Sequence, residues 1–181
     1  MTYEEALAYI KERSRFGIKL GLERMRFLLE QINDPQMRYP VIHIAGSNGK
    51  GSTAAMIYAV LMEAGYKVGR FTSPHLSSYT ERFSVNGRDI SPERLAALVS
   101  EIRPVLDQVA SNPTYGEPTE FEVGTLLAIE YFAKEKVDLA VIEVGMGGRL
   151  DATNVVDPLI SVITHLAMDH REYLGEDLAS I

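Results

Sequence analysis

The chain has 181 residues, 46% of them apolar and 24% charged, a balance that suits one globular core and excludes disordered or collagen-like chains. Its net charge of −7 has the wrong sign for a generic binder of phosphate backbones, so nucleic acid is not an expected partner. With no cysteine and no apolar run of the roughly 20 residues that cross a bilayer, disulfide frameworks, thiolate metal sites and membrane partners are set aside, and a cytoplasmic protein is expected.

Thr2 and Glu5 form a capping-box pair ahead of Ala6, Leu7 and Ile10, which predicts a helix running toward the break at Gly17. Leu22, Met25, Leu28, Leu29 and Ile32 make a second apolar stripe that stops at Asn33-Asp34-Pro35. Val41 to Ala45 reads as a strand that runs directly into Gly46-Ser-Asn-Gly-Lys-Gly-Ser52. Thr53 to Ala64 is helical, Gly65 closes it, and Val68 to Thr72 is another strand. Tyr79 to Val85 predicts a strand and Asn86-Gly87 a tight turn, after which Ser91 and Pro92 open a helix reaching Ala110. Ser111 to Pro118 is a loop, and Thr119 with Glu122 caps a helix through Glu135. Leu139 to Val144 and Leu159 to Leu166 read as buried strands, the second leading to Asp169 and His170. Gly175 to Ile181 opens a further helix with no stop signal, so the chain is read as part of a longer protein. Continuous apolar strands alternating with helices predict the α/β class, a mostly parallel sheet with helices on both faces.

The strongest chemical signal is the glycine loop. Its glycines let main-chain N–H groups curl inward, the following helix adds its positive N-terminus, and Lys50 supplies a mobile cation, an arrangement suited to a nucleoside triphosphate. The standard G-x-x-x-x-G-K-[ST] pattern is not met, because Ile44 stands at its first glycine and Gly51 at its hydroxyl, which arrives one residue late as Ser52. Glu143 interrupts an apolar strand, where an ionised carboxylate must be paired or bound to a cation; magnesium would supply the cation, and a salt-bridged glutamate at a strand end is the alternative. Gly145, Gly147 and Gly148 let backbone approach a ligand, but Leu150 where the third glycine belongs disfavours a dinucleotide site. His43 and His165 fall in predicted strands and read as core residues, whereas His170 is open between metal ligand and turn residue.

Together these segments resemble the N-terminal part of folylpolyglutamate synthase and bifunctional dihydrofolate synthase, of the Mur ligase superfamily. The resemblance rests on Gly46 to Ser52, Thr72-Ser-Pro-His-Leu76, Tyr79-Thr-Glu-Arg82, Val141-Ile-Glu-Val-Gly-Met-Gly-Gly-Arg-Leu-Asp-Ala-Thr-Asn154 and Leu166-Ala-Met-Asp-His170, and it covers essentially the whole chain. It implies a P-loop-like ATPase domain, truncated here, spanning 1–181 without the C-terminal glutamate-ligase domain. The implied ATP site is Gly46, Ser47, Asn48, Gly49, Lys50, Gly51 and Ser52; Ser73 and Glu143 would hold one magnesium and His170 a second. Lys50, Glu143 and His170 would be the catalytic groups. Ile18, Lys19 and Leu20, with Thr119, Phe121, Leu150, Asp151 and Ala152, would line the pterin side of the substrate pocket. The implied reaction joins L-glutamate to dihydropteroate or a folate through an acyl phosphate, in a monomeric parent, the isolated chain being inactive. A Mur-type ligase acting on a UDP-linked muramic acid and a P-loop module without ligase chemistry are the alternatives.

Overall fold

The computed structural model of the chain describes residues 1–178. Its helices are α1 (Tyr3–Lys11), α2 (Glu23–Gln31), α3 (Lys50–Glu63), α4 (Pro92–Ala110), α5 (Glu120–Glu135) and the single turn α6 (Arg171–Leu174). Its strands are β1 (Val41–Ala45), β2 (Val68–Phe71), β3 (Phe83–Val85), β4 (Arg88–Asp89), β5 (Leu139–Glu143) and β6 (Ile160–Ile163). They form one sheet in the order β4-β3-β2-β5-β1-β6. The four strands β2, β5, β1 and β6 are parallel, and the β3–β4 hairpin closes the other edge antiparallel. The mostly parallel sheet expected from the apolar runs is therefore present.

Alternation along the central strands separates two cores. Ala140 and Ile142 of β5 face α5, around which α1, α2 and α4 gather, while Leu139 and Val141 face Ala54 and Tyr58 of α3. Helices thus cover both faces, with α3 on one and α1, α2, α4 and α5 on the other. Capping fixes where the helices start: the Thr2/Glu5 and Thr119/Glu122 boxes are both formed, and Ser91 accepts from the Arg94 N–H.

Four expectations need correction. Tyr79 to Arg82 is a 3₁₀ turn rather than strand, because Ser78 and Glu81 form a capping box in which the Ser78 hydroxyl accepts from the Thr80 N–H and the Glu81 carboxylate folds back onto the N–H groups of Leu76, Ser77 and Ser78. The helix after the glycine loop begins at Lys50, three residues earlier than its apolar pattern, since the loop glycine Gly49 serves as its N-cap. β6 is shorter than expected and not buried: Ile160 and Ile163 are 51% and 68% exposed, because among the described residues β6 is an edge strand paired with β1. At the far end, α6 stops at Gly175 and the next three residues are not helical; the rest of that expected helix, 179–181, lies outside the described residues.

Register brings the C-terminal ends of the parallel strands level, with Ile44 opposite Glu143 and Ala45 opposite Ile163. The segments that follow β1, β2, β5 and β6 therefore converge on one edge of the sheet, where ligand sites of open α/β sheets form.

Candidate functional site

The glycine loop spans the step from β1 to α3, and its first half is tied to the chain after β6. Ser47 and Asn48 donate their N–H groups to the His165 carbonyl at 2.9 and 3.3 Å, and the Ser47 hydroxyl exchanges hydrogen bonds with both backbone groups of Ala167. Gly46 sits at φ +136°, and a Cβ there would fall 2.0 Å from the Thr164 hydroxyl, which itself lies 2.8 Å from the Asn48 carbonyl. The N–H groups of Ser47 and Asn48 are thus spent inside the protein. Within the loop, and among the described residues, the N–H groups without a protein acceptor are that of Gly46 and those of Gly49, Lys50, Gly51 and Ser52, the last four at the start of α3. Lys50 Nζ folds over the loop and donates to the Gly46 carbonyl at 2.6 Å. His165 is exposed and contributes a carbonyl, not a core side chain.

Glu143 ends β5 beneath this helix start. It is 4% exposed, and among the described residues the one hydrogen bond to its carboxylate comes from the Ser73 N–H at 3.1 Å. Burial pushes its carboxyl above the ordinary carboxylate value, opposed by the Ser73 N–H and by the positive charges of Lys50 and Arg70. A Cβ on Gly51 would sit 3.7 Å from both Glu143 oxygens, so glycine there keeps the space above the carboxylate open. A buried anion with one protein donor and a neighbouring serine fits magnesium, which takes one or two protein oxygens and fills its remaining positions from phosphates and water. No group of three or more His, Asp and Glu side chains gathers among the described residues, so a cation at Glu143 or at His170 needs oxygens from elsewhere.

Beside the loop lies a cavity of about 420 Å³. Ile18, Lys19 and Leu20 line it from the segment before α2, Thr119 and Phe121 from the start of α5, and Leu150, Asp151 and Ala152 from the loop after β5. Ser73 and His170 line it as well, so the structure brings together every residue the resemblance placed on the substrate side. A smaller pocket at the glycine loop is lined by Gly46, Ser47 and Lys50, and it shares Gly145, Met146 and His170 with the cavity.

Other features escaped sequence reasoning. Arg82, Glu120 and Ser14 form part of the cavity wall; the Arg82 guanidinium donates to His75 Nδ1 at 3.0 Å and lies 3.5 Å from Glu120. A lone arginine in the apolar run Val68-Gly-Arg-Phe71 carried the same signal as Glu143, and its guanidinium stacks over the Tyr58 ring at 5.1 Å. The glycines after β5 serve the protein's own side chains. A Cβ on Gly145 would meet the Phe121 ring at 2.5 Å and one on Gly147 would meet Leu174 of α6 at 2.8 Å.

Asp151 is 4% exposed and accepts three hydrogen bonds, from the Met146 N–H, the Thr153 N–H and the Thr153 hydroxyl. His43, a core residue as expected, reaches the same Thr153 hydroxyl at 2.8 Å, and burial holds its imidazole below the ordinary histidine value against the pull of Asp151.

Residues 44–179 match the Mur ligase middle domain. The dihydrofolate synthase/folylpolyglutamate synthase of Bacillus subtilis is 46% identical over 180 residues, which make up 99% of this chain and 42% of that protein. The crystal structure of the folylpolyglutamate synthase of Thermotoga maritima superposes with a TM-score of 0.87 at 43% identity, covering 92% of this chain and 38% of that one. A folylpolyglutamate synthase complex with AMPPCP and folate superposes with a TM-score of 0.91 at 38% identity, over 99% of this chain and 44% of that one. The chain spans less than half the length of these relatives. No helix among the described residues is long and apolar enough to cross a membrane.

Proposed function

We propose, from the premise that this chain belongs to the Mur ligase family through its middle domain, that it carries the ATP and folate sides of an ATP-dependent amide ligase. The ligase joins L-glutamate to dihydropteroate or to a reduced folate and its polyglutamates. The carrying observation is that the cavity and the glycine-loop pocket share the wall of Gly145, Met146 and His170. A ligand whose ring enters the cavity directs its far carboxylate toward the loop, where the terminal phosphate of a nucleotide lies against the free N–H groups of Gly49 to Ser52. A structural relative binding AMPPCP and folate together supports the same pairing.

In this reading one carboxylate oxygen of the substrate attacks the γ-phosphorus, the bond to the β-phosphate oxygen breaks and ADP leaves. The amine of glutamate then attacks the acyl carbon, phosphate departs with the bonding pair, and the amine proton passes to solvent. No protein nucleophile takes part. What the chain contributes is neutralisation of two anions brought close together: the first-turn N–H groups of α3 and the Lys50 ammonium act on the phosphates. Magnesium, held by Glu143 and Ser73 when bound, supplies further positive charge at the phosphate oxygens. The cavity wall holds the ring and fixes the direction of the reacting carboxylate. Completing the ligation draws on groups beyond these residues, in keeping with the share of the relatives that the chain spans.

Thermal unfolding with added ligands tests the reading, since a ligand that binds only the folded form at about 100 times its Kd stabilises by about 2.7 kcal/mol. AMPPCP with magnesium, and pteroate, are each expected to raise the midpoint, and a UDP-linked muramic acid is expected to leave it in place. A shift with the muramic acid and none with pteroate would assign the chain to the cell-wall branch.

A further inference from the structure

Behind the cavity runs a buried chain of hydrogen bonds that links the interior of β1 to the cavity wall. His43 Nε2 lies 2.8 Å from Thr153 Oγ1, and Thr153 Oγ1 donates to Asp151 Oδ1 at 2.5 Å. The three residues are 7%, 0% and 4% exposed. The direction of this chain follows from the chemistry of its ends. Asp151 as a carboxylate only accepts, so the one hydroxyl proton of Thr153 goes to it; the Thr153 oxygen is then an acceptor toward His43, whose Nε2 must carry the proton.

The capacity of Asp151 can be counted in the same way. A carboxylate offers about four lone-pair positions. Oδ1 takes the Thr153 N–H and hydroxyl, and Oδ2 takes the Met146 N–H, which leaves one position open on Oδ2 of a residue that lines the cavity.

We propose that His43 is a positioning residue for the ligand of the cavity: acting through the Thr153 hydroxyl, it fixes the Asp151 carboxylate so that one Oδ2 lone pair receives a single N–H from a flat nitrogen heterocycle. The inference rests on the reading of the cavity as the folate-side pocket and adds a residue that no part of that ligand touches. Without the His43 donor the Thr153 hydroxyl is braced only by its own bond to Asp151 Oδ1, and the bond it donates there loses the polarisation and the orientation that the imidazole N–H gives it, while the Thr153 and Met146 N–H groups remain. The nucleotide loop has no share in this chain of bonds, so nucleotide affinity is independent of it.

Two measurements decide the proposal. In the unaltered chain, ¹⁵N-detected NMR of the histidine side chains, with the His43 signal assigned by its loss in His43→Gln, is expected to show the Nε2–H tautomer; an Nδ1–H tautomer overturns the direction of the chain. Calorimetric titration with pteroate and, separately, AMPPCP with magnesium gives the second. His43→Leu is expected to weaken pteroate roughly five- to tenfold, as for one lost buried hydrogen bond, with AMPPCP unchanged. His43→Gln, whose amide nitrogen reaches about as far as Nε2, is expected to restore most of the affinity. Equal affinities for the Leu and Gln variants, or parallel losses of pteroate and AMPPCP, would make His43 a packing residue only. Failure of the unaltered chain to bind pteroate would instead refute the folate reading of the cavity, and with it the ligand half of this inference, leaving the tautomer to decide the hydrogen-bond half.

Discussion

Substitution of Gly46 by alanine probes how the glycine loop is held, and its cost can be built from the structure. At φ +136° a non-glycine residue carries about 1–3 kcal/mol of backbone strain. The new Cβ would lie 2.0 Å from Thr164 Oγ1 and 3.2 Å from the Thr164 backbone nitrogen, so the threonine side chain must leave its position. Leaving forfeits the hydrogen bond of its one hydroxyl proton, which faces the Asn48 and Ala45 carbonyls, a net loss of about 1 kcal/mol. Residual crowding of Cβ against Thr164 adds about 1–2 kcal/mol. Gly46→Ala should therefore lower stability by about 3–6 kcal/mol, a fall of roughly 10–20 °C in midpoint for a domain of this size. Urea unfolding with an unchanged slope measures it. The companion variant Thr164→Ala removes the clashing oxygen, so the double variant should be at least about 1 kcal/mol more stable than the sum of the two single losses requires. A loss under about 1 kcal/mol for Gly46→Ala, or additivity within about 0.5 kcal/mol, would refute the account.

Three further substitutions separate the roles of the site residues. Lys50→Ala should weaken AMPPCP binding by about 10- to 100-fold through loss of a charge-assisted hydrogen bond, while stability moves by no more than about 1 kcal/mol; calorimetry and urea unfolding read the two effects. Glu143→Gln should stabilise the ligand-free chain at neutral pH and abolish the magnesium dependence of nucleotide binding. Because the folded carboxyl titrates above its unfolded value, Glu143 lets stability fall as pH rises from the ordinary carboxylate value through the raised one, and urea midpoints across that window should flatten in the variant. Gly145→Ala should push the Phe121 ring into the cavity, costing about 1–3 kcal/mol and lowering pteroate affinity at least about tenfold with AMPPCP less affected; an unchanged pteroate titration would show that the ring has another place to go.

The linear chain carried the local decisions. Caps at Thr2, Ser91 and Thr119 act within four residues of themselves, and the apolar runs from Val41 and Leu139 need only enough burial on both faces to become strands. So the α/β class, the strand-loop-helix frame of the glycine loop and the anomaly of Glu143 were legible from residue order. The residues named from family resemblance for the folate side come from three distant segments, and the structure is what collects them around one cavity. Where local rules competed, the sequence pattern alone misled: a capping box between Ser78 and Glu81 wound the start of a predicted strand into a turn, and β6 stayed exposed because burial depends on which strands become neighbours.

The division of labour inside the glycine loop lay further out of reach. Ser47 and Asn48 lose their donors to a carbonyl more than a hundred residues away, whereas Gly49 to Ser52 keep theirs, and residues of similar type thus end with different tasks. The path from His43 to Asp151 is likewise a product of packing, since it crosses from β1 to the loop after β5. Hydrogen-bond capacity and excluded volume are properties of atoms within a few ångströms of one another, and only the folded chain determines which atoms those are.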